Sequence, residues 1–94
     1  MFILDLTYIA PLEAADAVMA PHMDWVNEGY HRGLFLASGR KNPRTGGVIL
    51  ARGPRAEIEA YCAADPFTLH AIAEYRITEV AVTRTAEGLD GLKG

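Results

Sequence analysis

The chain is 94 residues long, half of them hydrophobic and 22% charged, with a formal net charge of −3. That is the composition of a single globular domain, not of a disordered segment. The acidic balance excludes nonspecific nucleic-acid binding, and no apolar run approaches the roughly 20 residues that span a bilayer.

Phe2, Leu4, Leu6 and Tyr8 alternate with Ile3, Asp5 and Thr7, which is the two-residue period of a first strand. No basic stretch precedes this apolar run, so it is not read as a signal peptide and a cytoplasmic protein is expected. Pro11 suits a first helical position, and Leu12, Ala15, Met19, His22, Val26 and Tyr30 follow at helical spacing. Pro21 removes the backbone bond to the carbonyl of Ala17, so a kink or a split is expected there, with His22 just past it. Gly29 or Gly33 ends the helix. Residues 34–38 read as a short second strand and residues 48–52 as a third, joined as a hairpin by the turn-rich stretch 40–47 (RKNPRTGG). Arg40, Lys41 and Arg44 in that loop read as a solvated tip in preference to an anion site. Pro54 opens a second helix with Ile58, Tyr61 and Cys62 inward. Asp65-Pro66 restarts it over residues 67–73, with Asp65 as N-cap and Pro66 in the first helical position. Residues 75–84 form the last strand. The tail 85–94 has little to bury and is expected to be mobile, leaving one domain over residues 1–84.

The order β-α-β-β-α-β is the ferredoxin-like arrangement, an α+β fold in which two helices cover one face of a four-stranded antiparallel sheet. Yet the strands are apolar on both sides. Leu34 and Leu36 are expected to face one way and Phe35 and Ala37 the other, residues 48–50 are a continuous apolar run, and Val80 and Val82 oppose Ile77 and Ala81. A wet apolar sheet face is uncommon, so a homodimer packing sheet against sheet is expected.

His22 is the polar member of the apolar helical stripe. An unpaired buried ring nitrogen costs about 1–3 kcal/mol, so both nitrogens need partners. Val18, Met19, Trp25 and Val26, its neighbours one turn away, offer no oxygen, and Asp24 points to another side of the helix. The partner must come from a distant segment. Asp5, Tyr8, Ser38, Asp65 and Glu79 all qualify, and periodicity does not rank them. The lone cysteine, Cys62, reads as a small buried hydrophobe, and Trp25 as packing. His31 and His70 have no metal-ligand spacing to each other or to His22, and no phosphate-cradling glycine loop appears. No metal and no cofactor are expected.

Several stretches in order resemble one family. They are His22 within Ala-Pro-His-Met-Asp-Trp, the strand Gly-Leu-Phe-Leu-Ala-Ser-Gly ending at Gly39, the hairpin Pro-Arg-Thr-Gly-Gly ending at Gly47, and Ala-Asp-Pro-Phe around Asp65 followed by Glu74-Tyr75. Together they resemble the YciI-like, or YCII-related, family over residues 2–84. Pro21, directly before His22, departs from the pattern. The resemblance implies a dimeric α+β barrel similar to proteins related to muconolactone isomerase. It also implies a histidine–aspartate active pair matching His22 and Asp65.

Such a pair does proton chemistry. An aspartate that accepts the Nδ1 proton fixes the imidazole tautomer and leaves Nε2 for the substrate. The expected function is a cofactor-independent enzyme of the isomerase, lyase or dehalogenation type acting on a small cyclic or aromatic carbonyl or phenolic compound. His22 is its acid/base and Asp65 the orienting partner, with Ser38 and Gly39 as candidate substrate-binding residues at the cleft end of a strand. The alternative is a non-catalytic small-molecule-binding or protein-interaction module on the same dimeric fold, with His22 a satisfied core residue. Haem or metal binding through His22 is a minor option.

Overall fold

The first strand, β1 (Phe2–Tyr8), forms where the alternation places it and becomes a central strand of the sheet. The computed structural model describes residues 1–93. After β1 come α1 (Leu12–His31), β2 (Phe35–Arg40), β3 (Gly46–Ala51), α2 (Arg55–Ala63), α3 (Pro66–Leu69) and β4 (Ala73–Glu79), with a 3₁₀ turn at Asp90–Lys93. The strands are antiparallel in the order β2-β3-β1-β4. This is the expected ferredoxin-like α+β topology.

Phe2, Leu4 and Leu6 of β1, Ile49 and Ala51 of β3 and Ala73 of β4 are all buried on the helix-facing side. They pack against Trp25 and Val26 of α1, Ile58 and Cys62 of α2, and Phe67 of α3. Leu4, Ile58 and Phe67 lose essentially all contact with water. Each such side chain contributes about 1.5–3 kcal/mol.

Three expectations need correction. Of the kink or split expected at Pro21, the split does not occur, for α1 runs through it unbroken. Pro21 and Ala17 both lie on the exposed side, so water can serve the carbonyl that loses its bond, while buried Ala15 and His22 hold the helix to the core on either side. The last strand is displaced, covering residues 73–79 instead of 75–84. Its length is set by β1, which pairs Tyr8 with Ala73 at one end and Phe2 with Glu79 at the other. Beyond Glu79 only Val80 remains tied, through backbone bonds with Met1, so Val82 has no strand to pair with. The helix before β4 is correspondingly short, ending at Leu69.

The third correction concerns β2. Phe35 opposes Ala51, but Ala37, not Leu36, opposes Leu50. One extra residue is therefore inserted, a β-bulge, and every residue after it changes face. Phe35 points to the core while Ala37 points away, not to the same side as expected. Ser38 and Arg40, opposite Ile49 and Gly47, are turned toward the helices. Where α1 crosses β2, only glycine fits at position 29, because a Cβ there would lie 2.3 Å from the Phe35 ring. The helix then stops in a two-bond cap: Gly33 N–H bonds to Tyr30 and Leu34 N–H to Gly29, with Gly33 at φ +73°.

The outer face of the sheet carries Ile3, Val48 and Leu50, half-buried, among Asp5, Thr7, Arg76 and Thr78. Lys41 crosses this face to pair with Asp5 at 2.5 Å.

Candidate functional site

Asp65 is the residue that ties the site to the fold. It follows the last turn of α2 and caps α3: its Oδ1 accepts the Phe67 N–H at 2.9 Å, and Pro66 fills the first helical position, where no N–H is needed. The same Oδ1 faces His22 Nδ1 at 2.8 Å, and Oδ2 accepts the Tyr75 hydroxyl at 2.5 Å. Asp65 is fully buried, with 0% exposure, so these donors are what hold its charge away from water.

His22 reaches Asp65 from the middle of α1. Its ring lies flat on Phe67, with centroids 3.9 Å apart and planes 4° from parallel. Asp65 fixes one nitrogen and Phe67 fixes the plane, so the imidazole is held in one orientation. Nε2 has no protein partner and is not among the polar atoms sealed off from solvent. It is the nitrogen open to the cleft that His22 lines.

That cleft, about 550 Å³, lies between α1 and the β1–β3–β2 side of the sheet. Leu6, Met19, Met23, Val26 and Ile49 make its apolar walls. It exists partly because Gly47, on the helix-facing side opposite Leu6 and Arg40, carries no side chain to fill it. Tyr8, Asp16, Arg40 and Arg44 supply polar groups along it.

Of the residues singled out from sequence, His22 and Asp65, 43 positions apart, are brought into contact. Ser38 and Gly39 both line the cleft, but the Ser38 hydroxyl is engaged by Tyr30 at 2.7 Å. Of the other oxygens open to His22, Tyr8 lines the same cleft without bonding to the ring, and two go elsewhere. Asp5 is on the outer face with Lys41, and Glu79 pairs with Arg55 at 3.3 Å. Tyr75 was missed as a site residue. Its signal, an aromatic in a strand, is indistinguishable from core packing until its register opposite Leu6 is known. Burial, then the Asp65 charge, push its phenol well above the ordinary range, so it stays a donor. The same causes, burial first, push the Cys62 thiol up to about 12, which fits a buried, unreactive sulfur. The basic loop is also divided. Lys41 belongs to the outer face, while Arg40 and Arg44 belong to the cleft. Among the described residues, no three His, Cys, Asp or Glu side chains gather closely enough to hold a metal ion.

The chain belongs to the YCII-related domain family, whose model matches residues 1–81. Among curated proteins none matches it by sequence. Among solved structures it is similar in fold to 5-chloro-2-hydroxyhydroquinone dehydrochlorinase (TftG) of Burkholderia phenoliruptrix, solved with 2,5-dihydroxybenzoquinone. The two share 15% identity at a TM-score of 0.70, over 85% of this chain and 93% of that one.

Proposed function

We propose that this YCII-related protein is an enzyme that moves protons on a small hydroxylated or carbonyl-bearing ring, of the isomerase, lyase or dehalogenation type. The observation that carries the reading is the division of labour on one imidazole: Nδ1 is committed to a buried carboxylate while Nε2 opens on an apolar cleft. With Nδ1 protonated toward Asp65, Nε2 has a free lone pair and takes a proton from the substrate. The imidazolium formed is stabilised by Asp65, and it either returns the proton at another ring position or releases it as a halide leaves with its bonding electrons. The second outcome is net loss of a hydrogen halide. TftG, which shares the fold, is named for such a dehydrochlorination, and this supports the halide arm. The chemistry needs only proton transfer, so no cofactor is invoked. Ser38 and Gly39 border the substrate in this reading.

The test is turnover and binding with that class of compound. Chloride release from 5-chloro-2-hydroxyhydroquinone and binding of 2,5-dihydroxybenzoquinone are measured on wild type, His22→Gln and Asp65→Asn. Gln at position 22 retains a donor for Asp65 but removes the base. Chloride release should fall by about 10²–10⁴-fold, the span of a lost acid/base group, with the fold retained. Full activity in His22→Gln refutes the assignment, as does binding by all three proteins with no turnover of any chlorinated or isomerisable ring. That second result favours the binding-module reading.

We further propose that two copies associate through the outer sheet face, burying Ile3, Val48 and Leu50. Sedimentation should give twice the chain mass for wild type and the monomer mass for Leu50→Glu. A monomeric wild type refutes the association. No helix among the described residues is long and apolar enough to cross a membrane.

A further inference from the structure

The basic hairpin loop acquires a purpose once the bulge in β2 is taken into account. Without the extra residue, strict alternation from the inward Phe35 would point Ala37 and Gly39 at the helices and turn Ser38 and Arg40 away. With it, Arg40 sits opposite Gly47 on the helix-facing side and lines the cleft. Arg40 has no ion-pair partner among the described residues. Arg44, four residues on, lines the same cleft. Its Nη2 donates to Asp16 Oδ1 at 2.6 Å, its guanidinium lies 5.8 Å from the centre of the Tyr8 ring, and its Nε is buried without a partner. An orphaned buried N–H on a charged group is costly, and a ligand acceptor relieves it. In a chain of net charge −3, this cleft carries two guanidinium groups against one exposed carboxylate, Asp16.

We infer that the cleft takes an anionic ring compound, whose ionised hydroxyl or carboxylate is bound by Arg40 and Arg44 while its ring lies on the apolar wall and its reacting position meets His22. This rests on the cleft being the substrate site, as proposed above. It adds the charge of the ligand and the residues that select it. Guanidinium suits the role because its fixed fork of donors matches two oxygens of a carboxylate or a hydroxy-carbonyl edge. Asp16 competes with the ligand for Arg44, so it tunes affinity downward.

Calorimetric binding separates the charge from the ring. The probes are 2,5-dihydroxybenzoquinone, whose acidic hydroxyls are ionised at neutral pH, its uncharged dimethyl ether, and 4-hydroxybenzoate for the carboxylate arm. Wild type should bind at least one of the two anions about tenfold or more tightly than the ether, the worth of one charge-assisted bond. Which anion wins identifies the group recognised. Arg40→Ala and Arg44→Ala should each weaken the preferred anion by a similar factor and leave the ether unchanged, and added salt should erode the preference. Asp16→Asn should strengthen anion binding by freeing Arg44. Equal affinity for anions and ether overturns the inference. So does an anion affinity that survives loss of both arginines, or no binding by any probe. His22→Gln should still prefer the anion, so failure of the acid/base reading and failure of this one give different results.

Discussion

Tyr75→Phe tests the central arrangement with the smallest possible change, one oxygen atom. The phenylalanine ring keeps the place of the tyrosine ring against Leu6, while Asp65 Oδ2 loses the hydroxyl that donates to it at 2.5 Å. Asp65 is completely buried, so water does not replace that donor. A hydrogen bond to a charged group contributes about 1.5–3 kcal/mol, against about 0.5–1.5 kcal/mol for a neutral pair. For a domain of this size each kcal/mol moves the melting point by roughly 4–8 °C. Tyr61→Phe supplies the internal control. The Tyr61 hydroxyl is likewise buried, donating at 2.6 Å, but its acceptor is the neutral carbonyl of Trp25. Urea denaturation of both variants at neutral pH should therefore show Tyr75→Phe losing about twice as much stability as Tyr61→Phe, with the m-value unchanged in each. A Tyr75→Phe loss equal to or below that of Tyr61→Phe would mean that Asp65 is not held as a buried anion by its donors. The role assigned to the carboxylate would then fail.

Other consequences are independent of that one. With its thiol pushed up to about 12, Cys62 has about one molecule in ten thousand ionised at pH 8, so iodoacetamide should leave it unmodified in the native protein and label it fully in guanidinium; rapid native labelling contradicts the buried assignment. The folded state retains the Cys62 and Tyr75 protons to higher pH than the unfolded chain, whose groups titrate near the ordinary 9.0 and 10.0. The unfolded state thus binds fewer protons above about pH 9, and the urea midpoint should fall as pH rises beyond it; a flat profile from pH 8 to 11 refutes this. Gly46→Ala should cost at least about 1–3 kcal/mol, because position 46 has φ +153° and a Cβ there would sit 1.8 Å from the Leu6 carbonyl oxygen. Gly39→Ala, with nothing within 4 Å of its Cβ, should melt close to wild type, and equal melting points for the two variants would refute the strained position.

Some of this molecule was legible because local chemistry and tertiary demand agree. Residues 2–8 alternate cleanly and form β1 over that span, and Asp65-Pro66 announces a helix start that the structure keeps. The β2 register was illegible for a physical reason. Leu34, Phe35, Leu36 and Ala37 are all apolar, so a one-residue slip carries no hydrophobic penalty that a sequence can display. The bulge, and with it the inward turn of Arg40, is decided by pairing with β3. The His22 partner was similarly unreadable from spacing, since five oxygen-bearing residues met the same requirement. Only the family resemblance ranked Asp65, and the contact between the two is a product of α1 and α3 packing on one face.

Asp65 serves two masters, and this governs how the site must be dissected. Its Oδ1 caps α3 and orients His22 at once, so Asp65→Ala would strip the helix of its cap and leave the Tyr75, Phe67 and His22 donors facing a void. An inactive Asp65→Ala protein would be uninformative, since lost geometry and lost fold give the same result. The donors are the better targets. His22→Gln removes the proton carrier and keeps a bond to the carboxylate; Tyr75→Phe weakens the support of the carboxylate and keeps the proton carrier. Catalysis through His22 requires the first to abolish turnover with little loss of stability. It requires the second to lower stability while turnover persists at temperatures where the protein remains folded. A core histidine with no chemistry would show neither split, because its only contribution would be to stability.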